Sequence, residues 1–145
     1  PEMSRGLGDV YKRQDQLVAD GIVRFHGFQT DVHPFYEAAD CVVLPSYHEG
    51  MSNVLLEGAA TGRALITSDI PGCREAVEDG VSGYLCPAQD AEGLTQAMRD
   101  FAQQSFDRQV QMGQSGRALV ERKFDKQLVV AKTLDGLGLP AAVRS

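Results

Sequence analysis

The sequence has no tryptophan, only three cysteines and no long apolar run. Cys41, Cys73 and Cys86 lie far apart and form no CxxC pair, which argues against a zinc site or a disulfide framework. No stretch approaches the roughly 18 consecutive apolar residues of a membrane-spanning helix. Basic residues are also scarce, because 14 Lys and Arg accompany 20 Asp and Glu, a net charge of −6. This acidic balance argues against a general nucleic-acid binder.

The remaining composition is that of one ordinary soluble domain, with 43% hydrophobic and 23% charged residues. Residues 1–14 differ, because they carry no apolar period and no helix cap. The run from Asp9 to Gln14 can be back-translated into a string that resembles a transposon end used to prepare sequencing libraries. We therefore interpret residues 1–14 as a non-native or disordered leader, and we expect the native protein to continue upstream.

Beyond residue 14, short apolar runs alternate with amphipathic stretches. Glycine, proline and polar residues bound four predicted strands, at residues 22–25, 41–44, 64–67 and 83–86. Caps and helical spacing predict helices over 32–39, 74–77, 106–122 and 126–136. A further helix runs to about Thr61, with Ser52 or Asn53 as its cap, and another is indicated after Asp90 by apolar residues at helical spacing from Leu94 to Phe101. This alternation predicts an α/β fold, with a Rossmann-like parallel sheet, helices on both faces and a helical C-terminus.

Particular residues give finer expectations for these elements. The continuous apolar run at 41–44 is typical of a central strand buried on both faces. Asp31 is expected to cap the helix at 32–39, and Phe35 is expected on its inner side. Glycines at 136 and 138 and a proline at 140 end the regular structure. The predicted domain therefore spans residues 15–136, and residues 137–145 form a tail.

Groups that could bind a ligand are concentrated in the loop after strand 41–44 and in the helix that follows it. Gly50 would let the backbone approach a ligand, and the N–H groups of Met51 to Val54 could hold an anion such as a diphosphate. Glu49 and Glu57 supply carboxylates that can each accept from two neighbouring sugar hydroxyls. The spacing alone leaves non-functional roles open for both acids. Glu49 could be a solvated loop acid, and Glu57 could merely interact favourably with the helix dipole.

Glu49 and Glu57, separated by seven residues and set between a strand ending Leu-Pro-Ser and an apolar helix, resemble the E-x7-E motif of the retaining glycosyltransferases of family 4. The resemblance covers residues 17–136 and includes the segments at 22–28, 31–44, 62–69, 71–75 and 79–85. The sequences of these segments are most similar to those of bacterial capsule, exopolysaccharide and O-antigen transferases. Such an ordered set is far more specific than two acids alone.

The resemblance implies a GT-B fold, in which two Rossmann-like domains enclose the active site. The chain is similar to the C-terminal, donor-binding half and would be incomplete, with an opening strand and basic diphosphate contacts upstream. An N-terminal acceptor domain would also be missing. The implied partners are a nucleoside-diphosphate sugar, expected to be a UDP-sugar, and a glycan or lipid-linked acceptor, with no nucleic acid.

The resemblance also implies a role for each matching residue. Glu49 would be the catalytic residue and would face the donor sugar. Donor-binding positions would include Phe28 at the base, Glu57 at the ribose hydroxyls, and the loop and helix start at Gly50, Met51, Ser52, Asn53 and Val54. Met51 and Ser52 replace a frequent Phe-Gly pair, so the part of the donor pocket that faces the sugar departs from the commoner sequence pattern. No cofactor and no metal are expected, because the family is generally metal-independent and no DxD pair occurs here.

These inferences favour a retaining hexosyltransferase of bacterial surface polysaccharide synthesis as the parent protein, with no transferase activity in this chain alone. A cytoplasmic location follows from the cysteine usage, with peripheral attachment at the inner face of the membrane as an option. Two alternatives stay open. A non-catalytic nucleotide-sugar binding module would have the same sequence here, and a relative of UDP-N-acetylglucosamine 2-epimerases would differ in the acids and histidines of this loop.

Overall fold

The computed structural model describes residues 12–46 and 52–124. The chain divides into two units, of which the first runs to Thr30 and the second begins at Asp31. In the first unit, residues 12–19 form a helix, α1, that was not expected from the sequence. Its first turn contains residues 12–14 of the proposed leader, whereas residues 1–11 lie outside the described part.

The predicted strand at 22–25 is wrong. Residues 22–29 have no regular secondary structure, and the side chains of Ile22 and Phe25 are 71% and 75% exposed. A strand exists only when a neighbouring strand completes its hydrogen bonds. None of the described residues pairs with this segment in a sheet. This apolar run therefore forms no strand, because none of the described segments is hydrogen-bonded to it as a neighbouring strand.

The second unit alternates helices and strands as expected. Its elements are α2 (His33–Ala38), β1 (Cys41–Leu44), α3 (Asn53–Ala60), β2 (Ala64–Ser68), a 3-10 turn (Arg74–Ala76), β3 (Gly83–Cys86), α4 (Ala91–Ala102) and α5 (Phe106–Lys123). The three strands are parallel, in the order β1-β2-β3. These strands and helices were predicted to within a few residues. The helix predicted at 126–136 lies outside the described residues.

Burial differs from the expectation for β1. All four residues of β1 are half-buried, whereas all five residues of β2 are buried. The reason is position, because β2 has a paired strand on each side and β1 is paired only with β2 among the described residues. The sequence-based assignment of β1 as the central strand is therefore wrong for the described sheet, in which β2 is central.

Apolar side chains cover both faces of this sheet, as a doubly covered parallel sheet requires. On one face, Leu65 of β2 packs with Leu55 of α3 and Val120 of α5. On the other, Ile66 packs with Phe101 of α4 and Met112 of α5. The predicted fold class, a Rossmann-like α/β layer structure, is confirmed.

Helix α2 presents a different face to the core from the one expected. His33 and Tyr36 are buried, whereas Phe35 is 37% exposed. Because residues three apart share a helix face, burial of His33 carries Tyr36 inward and rotates Phe35 away. Asp31 accepts a hydrogen bond from the backbone N–H of His33 at 3.1 Å, although Val32 occupies the N-cap position.

Candidate functional site

The carboxyl ends of the three strands meet at one edge of the sheet. Leu44 is paired with Thr67, and Ser68 with Cys86. The Thr67 hydroxyl donates to the Leu44 carbonyl oxygen at 2.8 Å, and the backbone N–H of Asp69 donates to the Cys86 carbonyl oxygen at 2.7 Å. In open α/β sheets, this is the edge where ligands bind.

A cleft of about 280 Å³ opens at this edge. Residues from the ends of all three strands and from the start of α4 form its walls: Pro45, Ser46, Ser68, Cys86, Pro87, Gln89, Asp90, Ala91 and Leu94. Asp90 caps α4 by accepting from the N–H of Gly93 at 3.0 Å. Burial, together with the charge of Asp90, raises the pKa of the Cys86 thiol. That thiol therefore lines the cleft as a neutral group.

Helix α3 begins beside this edge. The hydroxyl of its N-cap, Ser52, accepts from the backbone N–H of Leu55 at 3.4 Å, so Ser52 and not Asn53 is the cap, of the two that the sequence allowed. Asn53 and Val54, the first two helical residues, are exposed. The part of the chain that the structure describes offers no acceptor to their backbone N–H groups. With respect to residues 12–46 and 52–124, the two donors at this helix N-terminus therefore suit an anion.

The loop after β2 supports the helix start. The backbone N–H of Ser52 donates to the Gly72 carbonyl oxygen at 3.3 Å, so this N–H is engaged within the protein. The N–H of Gly72 in turn donates to a Glu75 carboxylate oxygen at 2.8 Å. Arg74 lies across the same loop, with its Nε 3.1 Å from the Asp69 carboxylate. This supporting loop was not recognised in the sequence.

Glu57 lies one turn inside α3 and is half-buried. Its Oε2 accepts a hydrogen bond from the hydroxyl of Tyr36 on α2 at 3.3 Å. Burial, then the charge of Glu57 and this hydrogen bond, raise the pKa of Tyr36 to about 12. Tyr36 is therefore a permanent donor at neutral pH. Sequence reasoning missed it because the inner face of α2 was assigned to Phe35 instead.

The structure brings together four of the predicted site residues: Ser52, Asn53, Val54 and Glu57 all lie on α3 or at its cap. Phe28 belongs to the first unit, and its side chain is 92% exposed. Glu49, Gly50 and Met51 lie outside the described residues. The roles assigned to all these residues stay predictions.

Within residues 12–46 and 52–124, the His, Cys, Asp and Glu side chains form no group of three or more placed to hold a metal ion. None of the helices described there combines the length and the apolar character needed to cross a membrane.

An open parallel α/β sheet with a ligand edge at its strand ends defines a Rossmann-like binding domain. The sequence matches the family described as glycosyl transferases group 1 over residues 5–104, more than half of its length. The chain belongs to this family.

Known relatives agree with that assignment. The lipopolysaccharide core biosynthesis glycosyltransferase LpsE of Rhizobium meliloti is 29% identical over 121 residues, which cover 83% of this chain and 35% of LpsE. This chain thus spans about a third of that relative's length. The sucrose-phosphate synthase of Thermosynechococcus elongatus is 26% identical with a TM-score of 0.70, over 86% of this chain and 32% of that one. HepE of Anabaena, solved with UDP and glucose, has the same fold at 24% identity, with a TM-score of 0.71, over 90% of this chain and 37% of HepE.

Proposed function

We propose that this chain is the donor-binding part of a glycosyltransferase that uses a nucleoside-diphosphate sugar, with UDP as the nucleotide. The observation that carries the proposal is the position of Glu57, a half-buried carboxylate one turn inside a helix whose first N–H groups meet no acceptor among the described residues. Membership of the glycosyl transferases group 1 supports it, and HepE of the same fold was solved with UDP and glucose.

The chemistry of the donor explains this arrangement. A nucleoside-diphosphate sugar has vicinal ribose hydroxyls that donate, and a diphosphate that accepts. A carboxylate such as Glu57 can accept from both hydroxyls, while the N–H groups of Asn53 and Val54 favour the anionic diphosphate. The two functions lie on one helix, so a single rigid element would orient the donor.

For the complete parent protein, we propose retaining transfer of a hexosyl group to a lipid-linked or growing bacterial surface glycan, without a metal ion. The bond between the anomeric carbon and the leaving diphosphate would break as an acceptor hydroxyl oxygen bonds to that carbon, and the hydroxyl proton would pass to the leaving diphosphate. Negative charge that develops on the leaving diphosphate would be stabilised by the N–H groups at the start of α3. Glu49 is assigned to the donor sugar in this proposal, and the acceptor would be held by a second domain, at the cytoplasmic face of the membrane.

Calorimetric titration of the 145-residue chain with UDP tests the proposal. We expect saturable binding that Glu57→Gln weakens about tenfold or more, since hydrogen bonds to a charged group contribute roughly 1.5–3 kcal/mol. Glu92→Gln is the matched control, because Glu92 is an exposed acid of α4 and should leave binding unchanged. We expect no transfer from a UDP-sugar to added acceptors by this chain alone.

The competing results are distinct. Equal UDP binding by wild type and Glu57→Gln would remove Glu57 from the nucleotide site. Binding of GDP or ADP in place of UDP would retain the donor site and change the base. Absence of any nucleotide binding by the folded chain would overturn the proposal for this chain.

A further inference from the structure

A tyrosine hydroxyl donates to the carboxylate that we assign to the ribose. Tyr36 lies on α2, 21 residues before Glu57, and its side chain is only 9% exposed. Among the described residues, Tyr36 is the one side chain that donates to this carboxylate. Because this bond uses Oε2, the second oxygen accepts from none of the described side chains and has lone pairs that suit a ligand.

The tyrosine is itself held in place. Its ring packs edge-on against the imidazole of His33, with centroids 6.2 Å apart and an angle of 83° between the planes. His33 is buried, and its Nδ1 lies 3.2 Å from the carboxylate of Asp31. At the other end of α2, the Arg63 guanidinium donates to the Glu37 carbonyl oxygen at 2.9 Å. These contacts give the Tyr36 hydroxyl a defined position.

We propose that Tyr36 is a positioning residue of the nucleotide site, which orients the Glu57 carboxylate so that it accepts from the ribose hydroxyls. The inference rests on the proposed function. At 3.3 Å the bond is long for a hydroxyl on a carboxylate, for which about 2.5–2.7 Å is usual. The carboxylate can therefore shift within reach of the tyrosine when a ligand arrives, and the bond shortens.

The matched variants are Tyr36→Phe and Tyr84→Phe, since each removes one hydroxyl and keeps the ring. Tyr84 has a comparable bond, accepting from Gln104 at 3.3 Å, but it packs in the core cluster on the other face of the sheet. Each variant is titrated with UDP and with 2′,3′-dideoxy-UDP, which lacks the ribose hydroxyls. Thermal unfolding followed by circular dichroism establishes that each variant is folded.

We expect Tyr36→Phe to weaken UDP binding about three- to tenfold and to leave dideoxy-UDP binding unchanged. Tyr84→Phe should change neither. Equal weakening of both nucleotides by Tyr36→Phe would reveal a merely structural role and overturn the inference, as would unchanged UDP binding. If the wild-type chain does not prefer UDP over the dideoxy form, the proposed ribose contact itself fails.

A second measurement does not depend on the folding of Tyr36→Phe. In wild-type protein with ¹³C-labelled tyrosine, UDP should move the Cζ resonance of Tyr36, because the bond to Glu57 shortens, and should not move that of Tyr84. The Tyr36 shift should disappear in Glu57→Gln. If saturating UDP does not shift the Tyr36 resonance, the positioning role is refuted, whereas the proposal that the chain binds a nucleotide is not affected.

Discussion

Two glycines one turn apart on α5 should respond in opposite ways to alanine. A Cβ on Gly113 would overlap the Gly62 carbonyl oxygen and lie 2.8 Å from the Gly62 carbonyl carbon. A Cβ on Gly116 would meet Ser82 Cβ at 3.5 Å, an ordinary contact distance. The obstacle at Gly113 is backbone, in the turn between α3 and β2, so it cannot rotate away as a side chain can.

A normal contact of about 3.4 Å to the Gly62 carbonyl carbon alone would require α5 to retreat by about 0.6 Å, and the overlapped carbonyl oxygen, which lies closer, requires a larger retreat. A gap of about 0.5–1 Å forfeits a quarter to a half of each dispersion contact, and Met112 and Val120 on α5 are fully buried. We assign roughly 3 kcal/mol to this overpacking. Both substitutions gain about 1 kcal/mol of helix propensity. Gly113→Ala should therefore lose about 2 kcal/mol, and Gly116→Ala should gain about 1 kcal/mol.

Urea unfolding of the two variants and the wild type, followed by circular dichroism, measures these differences at equilibrium. The comparison is matched because helix, residue type and propensity gain are the same, so only the steric contact differs. If Gly113→Ala proves as stable as Gly116→Ala, the close approach of α5 to the α3–β2 turn is refuted.

Two further predictions concern the groups around α3. Because the pKa of Tyr36 is raised from 10.0 to about 12, its stabilising contribution is fully present below about pH 10 and is lost as the pH rises towards about 12. Unfolding free energies measured over this range should fall more steeply for wild type than for Tyr36→Phe, and parallel slopes would contradict the assignment. Ser52→Ala should cost about 1 kcal/mol through loss of the α3 cap, as Ser105→Ala should at the start of α5. If calorimetry detects a loss only for Ser105→Ala, the Ser52 hydroxyl does not stabilise α3.

The sequence predicts the three paired strands well because each is a short run of mostly apolar residues next to a glycine or proline that ends regular structure. Pro45 follows β1, Gly62 precedes β2 and Pro87 follows β3. The segment at 22–25 has the same local character and still forms no strand, since pairing is a property of two segments. Local pattern thus predicts where a strand can form, whereas the partner decides whether it does.

For the candidate site, too, the sequence predicts local features but not the contacts between elements. A cap at Ser52 or Asn53 and the position of Glu57 within α3 follow from residue type and helical spacing, which are local. The contact between Tyr36 and Glu57 depends on how α2 packs beside α3, and one helical step of rotation decides which aromatic residue of α2 points inward. The exposed Phe35 and the buried Tyr36 are adjacent in sequence, so composition cannot distinguish them.

Packing of α3 on the sheet explains why Glu57 is suited to a fixed contact. A Cβ on its neighbour Gly58 would lie 3.0 Å from Val42 and 3.1 Å from Leu65, which shows how closely the helix approaches β1 and β2. A tightly packed helix loses little further conformational entropy when a ligand binds. Less of the binding free energy is therefore spent on ordering the protein, and the ligand is held in one orientation. The capped start of α3 and the close approach at Gly58 fix the backbone and the axis of this helix, and the Tyr36 hydroxyl limits the range over which the Glu57 carboxylate moves. These three constraints support the proposal that Glu57 positions a ligand, as opposed to the role of a solvated helix residue.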